Sequence, residues 1–180
     1  MVRTPKGPPR RGRRDCDLRG DRMRIGQGYD SHRLAFGKPL ILGGVKVDFA
    51  KGSVGHSDGD VLVHAVIDAL LGAAGLGDIG MRFPDTDPQY KGADSIHLLK
   101  QIGDVLKEAG YKVANVDATL ILEQPKLGRL KAEMAARIAG ALGIQTYLVN
   151  VKAKTAEGLG PVGNGDAVEA HAVALIEEFR

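Results

Sequence analysis

The order of the predicted elements indicates an α+β fold, in which helices pack on one face of a β-sheet. The segments follow the order strand, helix, helix, strand, helix, strand, which is typical of such a sandwich. The chain has 180 residues, of which 43% are hydrophobic, so one domain with a sizeable core is expected. The other face of the sheet is then expected to lie open. Small residues near the C-terminal end indicate the close approach of another chain, as a trimer or a dimer: Ala167, Ala170, Ala172 and Ala174.

The first half of the chain predicts two or three strands and one long loop. Residues 23–29 have the pattern of a first strand. Residues 40–49 predict one or two further strands, broken by a turn or bulge at Gly43-Gly44. Residues 75–93 are too long and too irregular for a plain connection, which is typical of a functional loop.

Between these segments, residues 57–74 predict a helix that is apolar almost all round and therefore deeply buried. Ser57 suits the N-cap position, and Asp60 three residues later resembles the acid of a capping box. His64 and Asp68 are polar residues within this apolar helix. Because burying an unpaired polar group is costly, both are expected to have partners.

The second half of the chain predicts two more helices and two or three strands. The predicted elements are helices at 94–109 and 127–142, strands at 115–122 and 147–154, and a glycine-rich loop at 157–165. Gly110 and Gly143 are the expected helix ends. Residues 167–176 leave two possibilities open, because their alanines favour a helix while their alternation allows a strand.

Charge divides the chain into a basic tail and a mildly acidic body. Residues 1–22 carry eight Lys or Arg against three Asp, whereas residues 23–180 carry 17 basic and 19 acidic residues. The tail is predicted to be a disordered basic extension, and residues 23–180 a single domain. No basic stripe in the body supports nucleic-acid binding, and no apolar run predicts a membrane span. The only cysteine, Cys16, leaves no internal disulfide and fits a cytoplasmic setting.

Asp30, His32 and His64 are candidate ligands of a metal ion. Asp30 and His32 are two residues apart, so on a strand both side chains lie on one face, and His64 comes from a separate element. One carboxylate and two imidazoles leave one tetrahedral position open, as in catalytic zinc sites. The alternative is that the Asp-x-His pair is a surface feature and His64 a hydrogen-bonded core residue.

Three aspartates of the 75–93 loop, Asp78, Asp85 and Asp87, allow two interpretations. They are either ordinary turn formers or groups that accept hydrogen bonds from the hydroxyls of a polyol. The backbone amides of Ile79 and Gly80 could bind a phosphate in the same loop.

Residues 154–160 combine a cation, a hydroxyl, a carboxylate and a flexible backbone in Lys154, Thr155, Glu157 and the glycines that follow. Such a set can hold a diphosphate, with Glu157 on a hard cation such as Mg²⁺. The segment lacks the glycine and lysine order of a Walker A loop. Gly26-Gln27-Gly28 likewise lacks the third glycine and the following helix of a dinucleotide fingerprint.

Five segments together resemble the 2-C-methyl-D-erythritol 2,4-cyclodiphosphate synthase family. They are RIGQGYDSHRL, GHSDGDVLVHAVIDALLGAAGLGDIG, FPDTDPQYKGADS, NVDATLILEQPKL and VNVKAKTAEGLG. The resemblance extends from Met23 nearly to the C-terminus, with all five segments in the family's order. It implies that the final segment is a strand, and that the α+β chains assemble as a homotrimer around a central sheet-lined channel.

The resemblance implies a zinc ion, or another divalent cation, on Asp30, His32 and His64, and Mg²⁺ or Mn²⁺ on Glu157 at the substrate diphosphate. It implies His56 and Thr155 as catalytic residues. The substrate-binding residues that it implies are Asp30, His32, His56, Ser57, Asp78, Ile79, Gly80, Phe83, Pro84, Asp85, Thr86, Asp87, Leu122, Lys126, Leu127, Gly128, Ala153, Lys154, Thr155, Ala156 and Glu157.

Within that set, each part of the implied substrate has its own residues. His56 and Ser57 are expected at a phosphate, and residues 78–80 and 83–87 at the methylerythritol part. The cytidine pocket is expected between residues 122–128 and 153–155. Asp60, one helical turn before His64, is expected either to brace the imidazole or simply to cap the helix.

The resemblance implies a lyase that converts 4-diphosphocytidyl-2-C-methyl-D-erythritol 2-phosphate to the 2,4-cyclodiphosphate and releases CMP. The implied partners are this small cytidyl substrate and two further copies of the chain, with no nucleic acid and no membrane. Two other functions remain open. One is a metal-dependent hydrolase of nucleotide diphosphates, and the other is a non-catalytic trimer that binds prenyl diphosphates in its channel.

Overall fold

A long first strand organises the sheet. In the computed structural model, which describes residues 23–179, β1 spans Met23–Phe36 and so continues beyond the predicted end at residue 29. The other strands are β2 Leu40–Leu42, β3 Val45–Val47, β4 Lys51–Val54, β5 Tyr111–Ile121, β6 Val149–Lys154 and β7 Ala167–Glu178. The helices are α1 Val61–Ala74, α2 Ile79–Arg82, α3 Ser95–Glu108, α4 Leu130–Leu142 and α5 Gly160–Gly163. Short 3₁₀ turns cover Pro88–Tyr90 and Thr146–Leu148.

Five strands form one mixed sheet in the order β4-β1-β7-β5-β6, and β2 and β3 form a separate hairpin. Only the β5–β6 pair is parallel. β7 lies at the centre of the sheet, so residues 167–176 form a strand, as the resemblance implies. Pairing on both edges, together with the alternating burial of its side chains, outweighs the helical propensity of its alanines. The α+β prediction is confirmed.

One face of the sheet packs directly under α1. A Cβ atom at Gly28 would lie 2.0 Å from the backbone oxygen of Ala65, and one at Gly26 equally close to that of Ala69. Ala170, Ala172 and Ala174 of β7 are buried on the same face. Their prediction as a contact with another chain is therefore wrong, because these small side chains let α1 approach the sheet within the same chain.

The opposite face carries large side chains that the described part of the chain does not cover. Ile25 is 71% exposed, Tyr29 46% and Val173 39%. Tyr29 lies opposite His171 on the neighbouring strand, with their ring centroids 4.9 Å apart. The expected open face is thus present.

Helix α1 begins later than predicted, and Asp60 rather than Ser57 is its N-cap. Asp60 is fully buried, and its Oδ1 accepts hydrogen bonds from the amides of Val63 and Gly43 at 3.1 and 2.9 Å. Its Oδ2 accepts from the amide of Gly44 at 2.6 Å. Gly43 and Gly44 both have positive φ, as a tight hairpin turn requires, so the predicted turn between β2 and β3 is confirmed. Asp60 caps the helix and does not brace His64.

The remaining boundaries follow their caps. Asp94 is the N-cap of α3, which agrees with the predicted helix start at residue 94. Gly143 ends α4 in a left-handed conformation. α4 begins at Leu130, three residues after its predicted start at residue 127. β5 begins at Tyr111, four residues before its own predicted start at residue 115. Strand β4 was not predicted. The basic extension and Cys16 lie outside the described residues, and within these residues no helix has the length and apolarity needed to cross a membrane.

Candidate metal centre and adjoining pockets

Asp30, His32 and His64 meet where β1 passes beneath α1. Asp30 and His32 point to the α1 side of β1, because the inward positions of this strand alternate. His64 lies one turn into α1, facing them. Asp30 Oδ2 is 2.9 Å from His64 Nδ1 and 3.2 Å from His32 Nε2, and the two imidazole nitrogens are 3.3 Å apart. The three residues predicted from their spacing therefore form one cluster.

This triangle of donor atoms fits a divalent cation of the first transition series. Ligands at zinc-bond lengths of about 2.0–2.1 Å in a tetrahedron are roughly 3.3 Å apart, close to the three observed separations. Two imidazoles and one carboxylate suit zinc or a related cation better than Mg²⁺ or Ca²⁺, which prefer oxygen ligands. The donors leave one side of the triangle facing a cleft. The chain could thus hold a cation with an open position.

The three ligand candidates are electrostatically coupled. Burial raises the pKa of Asp30, but hydrogen bonds from His32 and His64 and their nearby charge more than compensate, and the pKa lies well below its usual value. Burial lowers the pKa of His64, whereas the hydrogen bond and charge of Asp30 raise it, and the net shift is upward. A cation bound to His64 Nδ1 would take the place of the proton on that nitrogen.

The other nitrogen of His64 faces two serine hydroxyls. Its Nε2 lies 3.0 Å from Ser57 Oγ and 3.0 Å from Ser95 Oγ. Ser95 is fully buried and donates its hydroxyl hydrogen to Asp58, whose other carboxylate oxygen accepts from the Ser95 amide at 2.9 Å. No local sequence pattern indicates the roles of Ser95 and Asp58, because they are 37 residues apart and of common types.

The cleft beside the triangle is lined by most of the residues that were predicted to contact a phosphate and the methylerythritol part of the substrate. It has a volume of about 350 Å³. The predicted residues that line it are His32, His56, Ser57, His64, Ile79, Gly80, Phe83, Pro84 and Asp85. Tyr90 and Leu98, which were not predicted, complete the wall, with the Phe83 and Tyr90 rings 5.3 Å apart edge to face.

Some loop residues have structural roles instead. Asp68 accepts the amide hydrogen of Ile79 at 2.7 Å, which gives this helical carboxylate the partner that was expected. The predicted use of the Ile79 amide for a phosphate is therefore wrong, because that donor is already engaged. Asp78 and Asp87 cap short helical turns through the amides of Met81 and Gln89, which agrees with their interpretation as turn formers. Asp78, Thr86 and Asp87 do not line the cleft.

A second pocket of about 170 Å³ lies at the ends of β5 and β6 and is lined by residues predicted for the cytidine pocket. The predicted residues that line it are Leu122, Lys126, Leu127, Gly128, Ala153, Lys154 and Thr155. Glu123 lies within the predicted range 122–128 and also lines the pocket, and it accepts the amide hydrogen of Ala156 at 3.2 Å, which holds the following loop. Ala156 and Glu157 do not line this pocket. Glu157 has a positive φ of 51°, an uncommon conformation for a residue with a side chain, and accepts a hydrogen bond from Thr155.

The metal candidates and the second pocket lie at the same end of the sheet but on different strands. Asp30 pairs with Ala170, which pairs with Leu120, which pairs with Ala153. At a strand spacing of about 4.8 Å, the two regions of one chain are roughly 10–14 Å apart across the sheet.

The fold and the site together define an α+β protein with a five-stranded mixed sheet and a candidate divalent-cation centre beside a cleft. Comparison with known proteins gives a particular family. The model of the YgbB family matches residues 23–177, and the chain belongs to that family.

Relatives at high identity share one name. The chain is 62% identical over 156 residues to the 2-C-methyl-D-erythritol 2,4-cyclodiphosphate synthase of Desulfosudis oleivorans, covering 87% of this chain and 93% of the relative. It is 57% identical over 155 residues to the synthase of Desulfatibacillum aliphaticivorans, covering 86% and 100%. The resemblance stated from the five segments is thus confirmed.

Solved structures share the fold. The bifunctional IspDF from Campylobacter jejuni superposes with a TM-score of 0.85 at 40% identity, covering 89% of this chain, which spans 43% of that longer chain. The CDP complex of IspF from Plasmodium falciparum superposes with a TM-score of 0.77 at 34% identity, covering 88% of this chain and 97% of that one.

Proposed function

We propose that this chain is a 2-C-methyl-D-erythritol 2,4-cyclodiphosphate synthase, a phosphorus–oxygen lyase of the non-mevalonate (MEP) isoprenoid pathway. It converts 4-diphosphocytidyl-2-C-methyl-D-erythritol 2-phosphate to the cyclic diphosphate and releases CMP. The observation that carries the proposal is the triangle of Asp30, His32 and His64 beside a cleft that His32 and His64 line, in a chain 62% identical to a protein of that name.

The reaction needs positioning more than it needs a protein nucleophile. The 2-phosphate oxygen, already anionic, attacks the β-phosphorus, and the bond from that phosphorus to the CMP oxygen breaks. The chain then has to align the two phosphates and neutralise their charge. Ser57 suits this role, because its Oγ accepts the amide hydrogen of Gly59 at 3.2 Å while its own hydrogen remains free to donate. His56 lines the same cleft and is proposed as the second contact to phosphate.

The second pocket suits the cytidyl half of the substrate. Lys126, Lys154 and the nearby Lys131 line it and would neutralise phosphate charge, and Thr155 is proposed to contact the reacting diphosphate. The solved IspF of Plasmodium falciparum is a CDP complex, which supports a cytidine ligand in this family. Glu157, beside Thr155, is proposed to hold Mg²⁺ or Mn²⁺ with the diphosphate.

Zinc, or another divalent cation, is proposed at the triangle. When bound, it would supply Lewis-acid polarisation of a phosphate oxygen. Asp30, His32 and His64 would hold it, while the cleft walls orient the methylerythritol part through Gly80, Phe83, Pro84 and Asp85.

We also propose that three copies of the chain assemble as a homotrimer around a channel lined by their sheets, with each active site completed by a neighbouring subunit. Two features support this. The open face exposes Ile25, Tyr29 and Val173, and monomers rarely leave such apolar patches without a function. The metal cleft and the cytidine pocket also lie on separate strands of one chain, which a neighbouring copy can bring together. The expected place in the cytoplasm stays a prediction.

Phosphorus NMR with the cytidyl substrate and Mg²⁺ tests the proposed reaction. We expect signals of a cyclic diphosphate and of CMP, which disappear after chelation and return when zinc is restored. Linear phosphate products would instead indicate the metal-dependent hydrolase, and binding without turnover would indicate the non-catalytic prenyl-diphosphate trimer.

His64→Ala sharpens that test, because it removes one of three protein ligands. We expect it to lose bound zinc and most turnover, measured by atomic emission and by the same NMR assay. His97→Ala is the matched control, since the His97 side chain is 77% exposed on α3. Stoichiometric zinc in the His64 variant would show that the ligand assignment is wrong.

A further inference from the structure

The hydrogen-bond chain behind His64 has a direction that the chemistry of its members dictates. Asp58 presents a carboxylate, which accepts hydrogen bonds and has no proton to donate when ionised. Its Oδ1 lies within hydrogen-bond distance of Ser95 Oγ, so the Ser95 hydroxyl is the donor in that pair. A hydroxyl has only one hydrogen. Toward His64 Nε2, 3.0 Å away, Ser95 Oγ can therefore only accept.

The direction of this hydrogen-bond chain determines which nitrogen of the His64 ring can bind a cation. If Nε2 carries the hydrogen that Ser95 accepts, Nδ1 is the nitrogen with a lone pair for a cation. Nδ1 is the atom that lies in the triangle, 2.9 Å from Asp30 Oδ2 and 3.3 Å from His32 Nε2. The chain from Asp58 through Ser95 thus favours the tautomer in which His64 can act as a metal ligand.

Ser57 does not set this direction, although its Oγ is also 3.0 Å from Nε2. Its hydrogen is not given to a carboxylate, so Ser57 can either donate to the ring or accept from it. Ser95 differs because it is fully buried, and because both its hydroxyl and its amide bind the same Asp58 carboxylate. The Asp58 carboxylate also accepts from the amide of Asp60 at 3.2 Å, which fixes it at the start of α1.

We propose that Asp58 and Ser95 are positioning residues, which orient the His64 imidazole and commit its Nε2 to donation so that Nδ1 binds the cation. The inference rests on the metal site of the proposed function. Partners behind the histidine ligands of metals fix the ring and its tautomer, and their loss typically weakens metal affinity about 10–100-fold.

Asp58→Asn is the decisive variant, because an amide is nearly the same size as the carboxylate but can donate. Its NH₂ group can give a hydrogen to Ser95 Oγ, which frees the hydroxyl to turn its own hydrogen toward His64 Nε2. Two donors then face each other, and the metal-binding tautomer is disfavoured. A comparable Asp-to-Asn change behind a catalytic histidine in serine proteases acts through the wrong tautomer.

The experiment measures zinc affinity by competition with a chelator. We expect the dissociation constant to rise about 10–100-fold in Asp58→Asn, and about tenfold in Ser95→Ala, where Ser57 remains as an acceptor. Asp94→Asn is the matched control. It lies next to Ser95 and caps the same helix, and Asn caps helices as well as Asp does, so its affinity should stay within about twofold of the wild type.

A spectroscopic readout separates positioning from a general loss of stability. In zinc-loaded protein labelled with ¹⁵N-histidine, the Nε2–H of His64 should give a slowly exchanging proton signal, because it is hydrogen-bonded and shielded. Both variants should bring that proton into faster exchange with water, while the amide spectrum shows a folded chain. If Asp58→Asn does not fold, the smaller Ser95→Ala change gives the same test.

The outcomes separate this inference from the proposed reaction. Unchanged zinc affinity in both variants, or a His64 proton as protected as in the wild type, would overturn the positioning role. A wild-type protein that binds no zinc would overturn it together with the metal centre. A wild-type protein that binds zinc but forms no cyclic product would defeat the proposed reaction alone, and the affinity and exchange measurements would still stand.

Discussion

The two faces of the five-stranded sheet are built from opposite kinds of side chain. On the covered face, Gly26, Gly28 and the β7 alanines bring the α1 backbone against the strands. On the open face, Ile25 and Tyr29 of the same β1 strand project into solvent. One strand therefore has two distinct sides: its inner positions place Asp30 and His32 against His64, and its outer positions carry side chains of the proposed subunit interface.

This difference predicts that substitutions on the two faces fail in different ways. Changes on the covered face should act on the folding of the single chain, since both partners belong to it. Changes on the open face should act on assembly and leave the chain folded, because mutating an exposed residue usually changes stability by no more than about 0.5 kcal/mol.

The largest effect is expected for assembly, from Ile25→Asp. Three carboxylates would be brought near one another in the proposed channel, so the particle mass should fall from three times the 19.1 kDa chain mass toward a single one. Sedimentation velocity measures this, and circular dichroism should show an intact fold. Lys100→Asp, exposed on α3, is the control and should remain assembled. An unchanged mass for Ile25→Asp would remove the open face from the interface.

Gly28→Ala tests the covered face. The added methyl group meets the Ala65 carbonyl, so α1 has to move, and overpacking of this kind costs about 1–3 kcal/mol or more of unfolding free energy. Urea denaturation at fixed chain concentration measures it. Gly140→Ala on α4 is the matched control. It has open space around it and should gain about 0.5–1 kcal/mol from helix propensity. Equal stability of the two variants would contradict the close packing.

Asp60→Asn tests how α1 is anchored to the β2–β3 turn. Its oxygen can still serve Val63 and Gly43, but its amide group would face the Gly44 N–H, donor against donor. A buried donor without a partner costs about 1–3 kcal/mol, which the same urea titration would detect. Asp104→Asn, in an exposed pair with Lys107 on α3, should change stability far less. Similar losses for both would argue against the turn as an anchor.

The smallest effect is expected from the Asp117–Lys152 pair on the open face. The hydrogen bond from Lys152 is the main cause that lowers the pKa of Asp117 below its ordinary value of 3.8. A lowered carboxyl pKa stabilises the folded state at neutral pH, and this contribution is lost as the pH falls through the folded-state pKa. Because both side chains are nearly half exposed, the contribution should be under about 1 kcal/mol.

Comparing wild type with Asp117→Asn by urea denaturation measures this contribution. The variant should be slightly less stable at about pH 7, and the difference should shrink in strong acid and in high salt. A difference that grows on acidification would contradict the expected sign.

The predictable parts of the fold were those whose signals are local. Asp94 and Gly143 mark helix ends by their own chemistry, and the Gly43-Gly44 turn needs only positive φ. The start of α1 was misplaced because Ser57 and Asp60 both suit an N-cap, and only the distant Gly43 and Gly44 amides decide between them. β4 was missed because its four residues, KGSV, show no clear alternation.

The candidate site likewise has residues that local sequence signals predict and residues that only tertiary contacts reveal. Asp30 and His32 could be predicted from a two-residue spacing, and His64 from its polarity within an apolar helix. Ser95 could not be predicted, because its role depends on contacts with Asp58 and His64 that are 37 and 31 residues away in sequence. The use of the Ile79 amide by Asp68 depends equally on a tertiary contact.

The central place of β7 has a consequence for the order of events during synthesis. β7 pairs with both β1 and β5, yet within residues 23–179 it follows every other strand in the sequence. While the ribosome is still making residues 23–166, the two halves of the sheet have no common neighbour, and β1 has no partner on that edge. Domains generally fold as units, and contacts between distant segments form slowly. The five-stranded sheet therefore cannot be completed, and β1 and β5 cannot gain their shared neighbour, until β7 has been synthesised.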